Sequence, residues 1–216
     1  MRGKQRGFGL VEAILALGIG LMLLTAAGQL FVSAHQSWRL QDAALRMQAD
    51  ARLALLRMAQ DIRMAGMFGC LRLEPGEFKD PAARDAFAQP LQVGPASLSL
   101  VVAELPGHSG APDWTLVTDC VNEVQVHKAR VGPGGGLPLA FPISRHHYQL
   151  DGSVLRFGRR NNTQPLVDHV REMRVEHVKA HGGERIDVQL TLFDPALQIE
   201  QRYDLSVALR NPVAEP

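Results

Sequence analysis

Glu12 is the side chain whose position most needs a chemical reason. It stands at the mouth of a segment, Ala13 to Ala34, of 22 residues with no ionisable side chain. As a helix rising about 1.5 Å per residue, that segment is long enough to cross a hydrocarbon core of about 30 Å. An acid at the centre of such a span costs roughly 2.5–3.5 kcal/mol on insertion scales. A carboxylate kept there therefore calls for a positive partner. Cys70 and Cys120 are the only cysteines, and neither sits in a C-x-x-C, which leaves zinc and dithiol redox chemistry poorly supported. Among the eight histidines, His146 and His147 are adjacent and point to opposite faces of a strand. His177 and His181 are four apart, but Gly182-Gly183 follows and argues against a helix that would align them. No H-E-x-x-H, G-x-S-x-G, Walker or EF-hand pattern occurs. Gly132 to Gly136 lacks the helix and lysine of a phosphate cradle. Arg156, Arg159 and Arg160 with Asn161-Asn162 form a small basic turn able to touch phosphates, a solvated turn being the simpler reading. The sequence reads as no enzyme, with no metal and no cofactor.

The elements that must position Glu12 and the cysteines begin with a helix. Leu40, Ala44, Met47, Ala51, Ala54, Leu55, Met58, Ile62 and Ala65 recur at three- and four-residue steps, an apolar stripe. Asp42 with Arg46, and Arg57 with Asp61, stand four apart on the outer side. No proline lies between Phe8 and Gly66, and no glycine between residues 29 and 65. One helix from Gly9 to Ala65 is expected, about 85 Å long, apolar all round in its first half and amphipathic in its second. Gly66 is the natural terminator. A loop with a short helix at Pro81 to Ala88 is expected next, and a second loop at Pro106 to Pro112. Strands are expected at Ser97 to Val102, Trp114 to Val117 and Val121 to Val131. A hairpin should turn at Asp151-Gly152, and Val170 to Val178 should be a strand after a helical turn. The clearest antiparallel pair is Ile186-Val188-Leu190-Leu192 with Tyr203-Leu205-Val207-Leu209, joined at Asp194-Pro195-Ala196. The fold class is α+β: a long N-terminal helix packed on an antiparallel sheet. Twenty-three basic against 22 acidic residues give a net charge of +1, so no global field steers the chain to nucleic acid.

Three readings compete for the first 34 residues. A secretory signal peptide would use Arg2, Lys4 and Arg6 as its basic region and be cut near Thr25-Ala26-Ala27. The apolar run is long for that, and Glu12 lies inside it. A plain anchor explains the length and, from the basic leader, a cytoplasmic N-terminus, but not Gly7-Phe8 or Glu12. The third reading accounts for all of them. Gly7-Phe8-Gly9-Leu10-Val11-Glu12 resembles the processing site of type IV pilins and pseudopilins. The resemblance implies cleavage between Gly7 and Phe8 by a prepilin peptidase and N-methylation of Phe8. Glu12 becomes the fifth residue of a 209-residue mature chain, and its carboxylate would pair with the Phe8 amine of a neighbouring subunit.

Further features look like the PilW group of minor pilins: Asp61-Ile62-Arg63-Met64-Ala65-Gly66-Met67-Phe68-Gly69-Cys70, Gln164 to Val175, and the closing Leu209-Arg210-Asn211-Pro212. The rival is the J-type pseudopilin of type II secretion, which shares the Asp-Ile-Arg helix end. The resemblance implies a leader (1–7), a transmembrane and assembly half of the helix (8–34), an amphipathic half (35–66) and a periplasmic β-rich domain (67–216). It implies a single-pass inner-membrane protein that helps initiate pilus assembly and enters the fibre. That role would serve twitching, adhesion and, in some systems, DNA uptake. The implied partners are prepilin peptidase, the major and other minor pilins, the inner-membrane assembly machinery and lipid, with no direct contact to nucleic acid. Exported, Cys70 and Cys120 would face an oxidising compartment and either pair or remain two buried thiols.

Overall fold

A run of 55 residues without a proline folds as one helix, α1, Leu10–Met64. The computed structural model describes residues 9–70, 78, 80–104, 110–180 and 183–211. The chain divides into two compact units, Met1–Arg46 and Met47–Pro216, and α1 contributes to both. Within the first unit the helix carries its apolar side chains outward, with Leu15, Leu23 and Phe31 exposed. Its N-terminal part is long and apolar enough to cross a membrane. A helix that is apolar all round has no solvated face to offer water.

In the second unit the stripe is buried from Met47 onward. Ala51, Ala54, Met58 and Ile62 are fully enclosed. Leu40, expected in the stripe, is exposed, and Ala44 is half-buried. The paired charges Asp42 and Arg46 lie 2.5 Å apart on the outside, as their spacing predicts.

The β structure is antiparallel throughout but forms two sheets rather than one. The larger contains β1 (Leu91–Gly94), β2 (Ser97–Ala103), β3 (Trp114–Thr118), β4 (Val124–Lys128), β5 (Leu139–Asp151), β6 (Val154–Arg159) and β7 (Asn162–Val167). The 13-residue β5 is its spine. Ile143 pairs with Ala103 of β2 on one side and with Trp114 of β3 on the other. Farther along, His146 to Asp151 pair with β6, so the sheet forks where β3 ends and β6 begins. The smaller sheet runs β10 (Ile199–Ala208), β9 (Gly183–Asp194), β8 (Val170–Ala180).

One apolar cluster joins Ala51, Ala54, Met58 and Ile62 of α1 to both sheets. Leu98, Leu100, Tyr148 and Leu155 come from the larger, and Ile186, Val188, Leu190 and Leu192 from the smaller. The period-two pattern of β9 thus puts every apolar residue of this set toward the helix. The second helix, α2 (Pro81–Ala88), starts at its expected proline, with Asp80 as N-cap. It packs Phe87 edge-on to Trp114, ring centres 5.8 Å apart.

Three further expectations are revised, and one strand holds an unexpected proline. The β5–β6 turn is Gly152-Ser153, because Asp151 pairs with Val154; Gly152 takes φ +60°. Val170 enters β8 directly, without a helical turn. Val121 to Val131 shrinks to β4, because Asp119 gathers the preceding N–H groups into a turn and Ala129 takes φ +64°. Pro165 lies inside a strand, β7, which hydrogen-bonds to β6 alone; an edge strand tolerates the missing N–H. The expectations for residues 71–77, for Pro106 to Ser109, and for His181, Gly182 and Pro212 lie outside the described residues.

Candidate functional site: the helix start and the helix exit

Gly7 and Phe8 lie outside the described residues; Glu12 lies within them. The first turn of α1 is closed by Gly9, whose carbonyl accepts from the N–H groups of Glu12 and Ala13 at 3.0 and 3.2 Å. The Glu12 carboxylate turns back, and its Oε2 accepts from the Gly9 N–H at 3.3 Å. This is the second half of a capping box, with the acid at the third helical position. An acidic side chain here also meets the positive end of the helix dipole. Glu12 therefore has a partner within its own chain. Its other carboxylate oxygen has no hydrogen bond among the described residues, so the side chain retains capacity for a cation. Sequence pattern places Glu12 but not this cap, because Gly9 lacks the side chain by which an N-cap is usually recognised.

At the other end, α1 stops at Gly66 (φ +71°). Ala65 bridges to Val102, and the Gly66 N–H donates to the Val101 carbonyl at 3.2 Å. Gly69 follows at φ +106°, with the Phe141 ring 3.1 Å from where a Cβ would stand. Backbone conformation and space both demand glycine there. Cys70 is then joined to Cys120, their Cα atoms 5.4 Å apart. Cys120 itself takes φ +60°, unusual for a residue with a side chain. Its N–H donates to Thr118 Oγ1 at 3.0 Å. Asp119 Oδ1 accepts from the N–H groups of Val121, Asn122 and Glu123 at 2.9, 3.0 and 2.9 Å. Those backbone donors, Glu123 foremost, hold the Asp119 carboxyl below the usual aspartate range.

Between these features lies a polar knot that sequence reasoning misplaced. Asp61 does not pair outward with Arg57. It turns into the fold, where its Oδ2 accepts from the Tyr148 hydroxyl at 2.6 Å and meets His146 Nδ1 at 2.7 Å. Arg57 lies instead over the Phe157 ring, 3.7 Å from its centre. Tyr148 is fully buried. Burial pushes its phenol well above the ordinary value, Asp61 adds to the shift, and Arg57 opposes it. The signal was available: Asp61 falls three residues after Met58, beside the buried stripe, and His146 and Tyr148 share one face of a strand. His147 points the other way, its Nδ1 2.7 Å from Ser99 Oγ.

A second buried charge sits at the fork of β5. Glu104, its side chain 2% exposed, pairs with Arg159 and accepts from the Ser144 hydroxyl. Asp61, His146 and Glu104 also line a cleft of about 210 Å³ with Arg57, Gln60, Met64 and Ala103. The basic turn is neutralised: Arg156 pairs with Asp151 at 2.9 Å, Arg159 with Glu104, and Arg160 with Asp113 at 3.5 Å. It offers no concentrated positive charge to a phosphate backbone. Among the described residues no three His, Cys, Asp or Glu side chains gather as a metal site.

Residues 2–28 match the prokaryotic N-terminal methylation motif. The match supports a type IV pilin-like or pseudopilin protein, a substrate of prepilin peptidase carried on an apolar N-terminal helix ahead of a soluble C-terminal domain. No curated protein and no solved structure matched the chain.

Proposed function

We propose that the chain is a minor pilin of the PilW group, a structural subunit that helps initiate type IV pilus assembly. In this reading prepilin peptidase cuts between Gly7 and Phe8, and the new amine of Phe8 is methylated. The helix is held in the inner membrane, with the β domain in the periplasm, until the subunit enters the fibre. The observation that carries the reading is the methylation motif at residues 2–28 running into one helix that ends against an antiparallel domain.

Glu12 acts in two settings. In the lone subunit its carboxylate is engaged by the Gly9 N–H, which lowers the cost of holding an acid near lipid. In a stack of helices it pairs with the Phe8 amine of a neighbour, cationic near neutral pH with a reference pKa near 8. The exchange fixes the axial register between subunits. The disulfide and Gly66 anchor the helix exit to the domain that supplies the subunit's identity. Other minor pilins and the major pilin are its partners, together with the inner-membrane machinery that extracts it from lipid.

Mass spectrometry of the N-terminus of membrane-extracted protein tests the first step. A chain beginning at methylated Phe8 is expected; one beginning at Met1, or cut near Ala27, refutes it. Deletion separates the pilus role from the J-type role. Loss of surface pili with normal enzyme secretion is expected, and the reverse result assigns the chain to type II secretion.

A further inference from the structure

The sheets end in strands of very different kinds. In the larger sheet β1 has only four residues and β4 five, while β7 contains Pro165 and a register shift against β6. Short length, proline and irregularity are the devices by which sheet edges avoid pairing with other chains. In the smaller sheet the first residue of β8 is already engaged, the Val170 N–H donating to the Ser153 carbonyl at 2.9 Å. Strand β10 has none of these protections. Its ten residues hold unbroken register with β9 from Ile199 to Ala208 and include no proline. Among the described residues no strand pairs with its outer side.

Hydrogen-bond parity shows what that side offers. The Leu209 N–H donates to the Glu184 carbonyl at 2.9 Å. Alternation along an antiparallel ladder then commits the odd-numbered residues of β10 to β9. The N–H and C=O groups of Glu200, Arg202, Asp204, Ser206 and Ala208 point away from the sheet. The side chains on the inner face continue the core to this edge. Ile199, Tyr203 and Leu205 are half-buried, whereas Ile186, Val188 and Leu190 of β9 are fully buried. No charged side chain points inward from β10. On the outer face Arg202 and Asp204 alternate in sign, 3.2 Å apart.

We propose that the free edge of β10 docks an extended strand of another polypeptide, added antiparallel as a fourth strand of the small sheet. The incoming segment alternates apolar with charged or polar residues, and carries an acid opposite Arg202 and a base opposite Asp204. Its backbone answers the row of outward N–H and C=O groups at the spacing only an extended chain provides. Its apolar side chains cover the exposed sides of Ile199, Tyr203 and Leu205. The β10 sequence itself meets the specification. Laid antiparallel with Tyr203 opposite Tyr203, it brings Asp204 of the incoming copy against Arg202 and Arg202 against Asp204. The inference goes beyond the function proposed above and stands on the sheet alone, whether or not that reading holds.

The test uses the full-length chain in detergent micelles and a synthetic peptide of residues 199–208 as probe. Binding is read by anisotropy of the labelled peptide and by amide hydrogen exchange in the protein. The peptide should bind and slow exchange at Glu200, Arg202, Asp204 and Ser206. Arg202→Ala should weaken binding about twofold to fivefold, the worth of one cross-strand charge pair. Arg202→Pro removes an outward N–H that β9 does not use, and should abolish binding while leaving thermal unfolding unchanged. If that variant is destabilised, a peptide N-methylated on the residues facing β10 leaves the protein untouched and should fail to bind. No binding by the wild-type chain up to about 1 mM peptide, a regime of about −4 kcal/mol, overturns the proposal. So does equal binding by the proline variant or the N-methylated peptide, or protection elsewhere than on β10.

Discussion

Replacing Tyr148 with phenylalanine gives the sharpest test of the knot that fastens α1 to the larger sheet. The hydroxyl donates to Asp61 at 2.6 Å from a side chain that solvent does not reach. A hydrogen bond to a charged acceptor is worth about 1.5–3 kcal/mol, so Tyr148→Phe should be less stable by that amount near neutral pH. Asp61 keeps His146, which prevents a larger loss. The pH dependence is more diagnostic. Burial first, and Asp61 second, raise the phenol above its ordinary value of 10.0. Unfolded, Tyr148 releases its proton near pH 10; folded, it keeps it to higher pH. The folded state therefore binds more protons above pH 10. The contribution is fully present below the unfolded value and is lost as pH rises toward the folded one. The loss is about 1.4 kcal/mol per pH unit for a single group. The phenylalanine variant has no proton to lose at this position. The gap between wild type and variant should be constant from about pH 7 to pH 9 and close within roughly one to two units above pH 10. Tyr203 is also raised by burial, but both proteins carry it, so it cancels. Urea unfolding of the full-length chain in detergent, followed by circular dichroism across this range, measures the gap. Equal stability near pH 7, or a gap that persists undiminished at high pH, refutes the assignment.

Glu12→Ala should still insert and be processed yet show reduced surface piliation at native expression. Normal piliation removes the charge pairing from the mechanism. Arg159→Met leaves Glu104, whose side chain is 2% exposed, to the Ser144 hydroxyl and to Arg130 at 3.7 Å, and should cost about 1–3 kcal/mol, less than breaking a buried pair outright because a second cation remains; a melting temperature within error of wild type contradicts the role given to the fork. The tether at Cys70 and Cys120 closes a loop of 50 residues, worth nominally about 4 kcal/mol and often less. Reductant, or Cys70→Ser with Cys120→Ser, should lower the melting temperature. Thiol labelling of exported protein should rise only after reduction.

The sequence by itself determined the elements whose pattern is local. An unbroken run of helix formers without proline specified α1, and Met47, Ala51, Ala54, Met58 and Ile62 marked its buried face. Pro81 marked the start of α2, and strict alternation specified the β9–β10 pair. The leader, Gly7-Phe8 and Glu12 were legible as part of an N-terminal methylation motif, which residues 2–28 match, because such a motif depends only on spacing along one chain. Tertiary structure decided whatever depended on residues meeting across the chain. Asp61 reads as half of a surface i,i+4 pair until the approach of β5 gives it Tyr148 and His146, 87 and 85 residues away. Arg159 reads as part of a solvated basic turn until the forked sheet sets it against the buried Glu104. The division into two sheets, and hence the open edge of β10, has no local signature. An edge strand and a central strand with one buried face carry the same alternation, and only the count of neighbours distinguishes them.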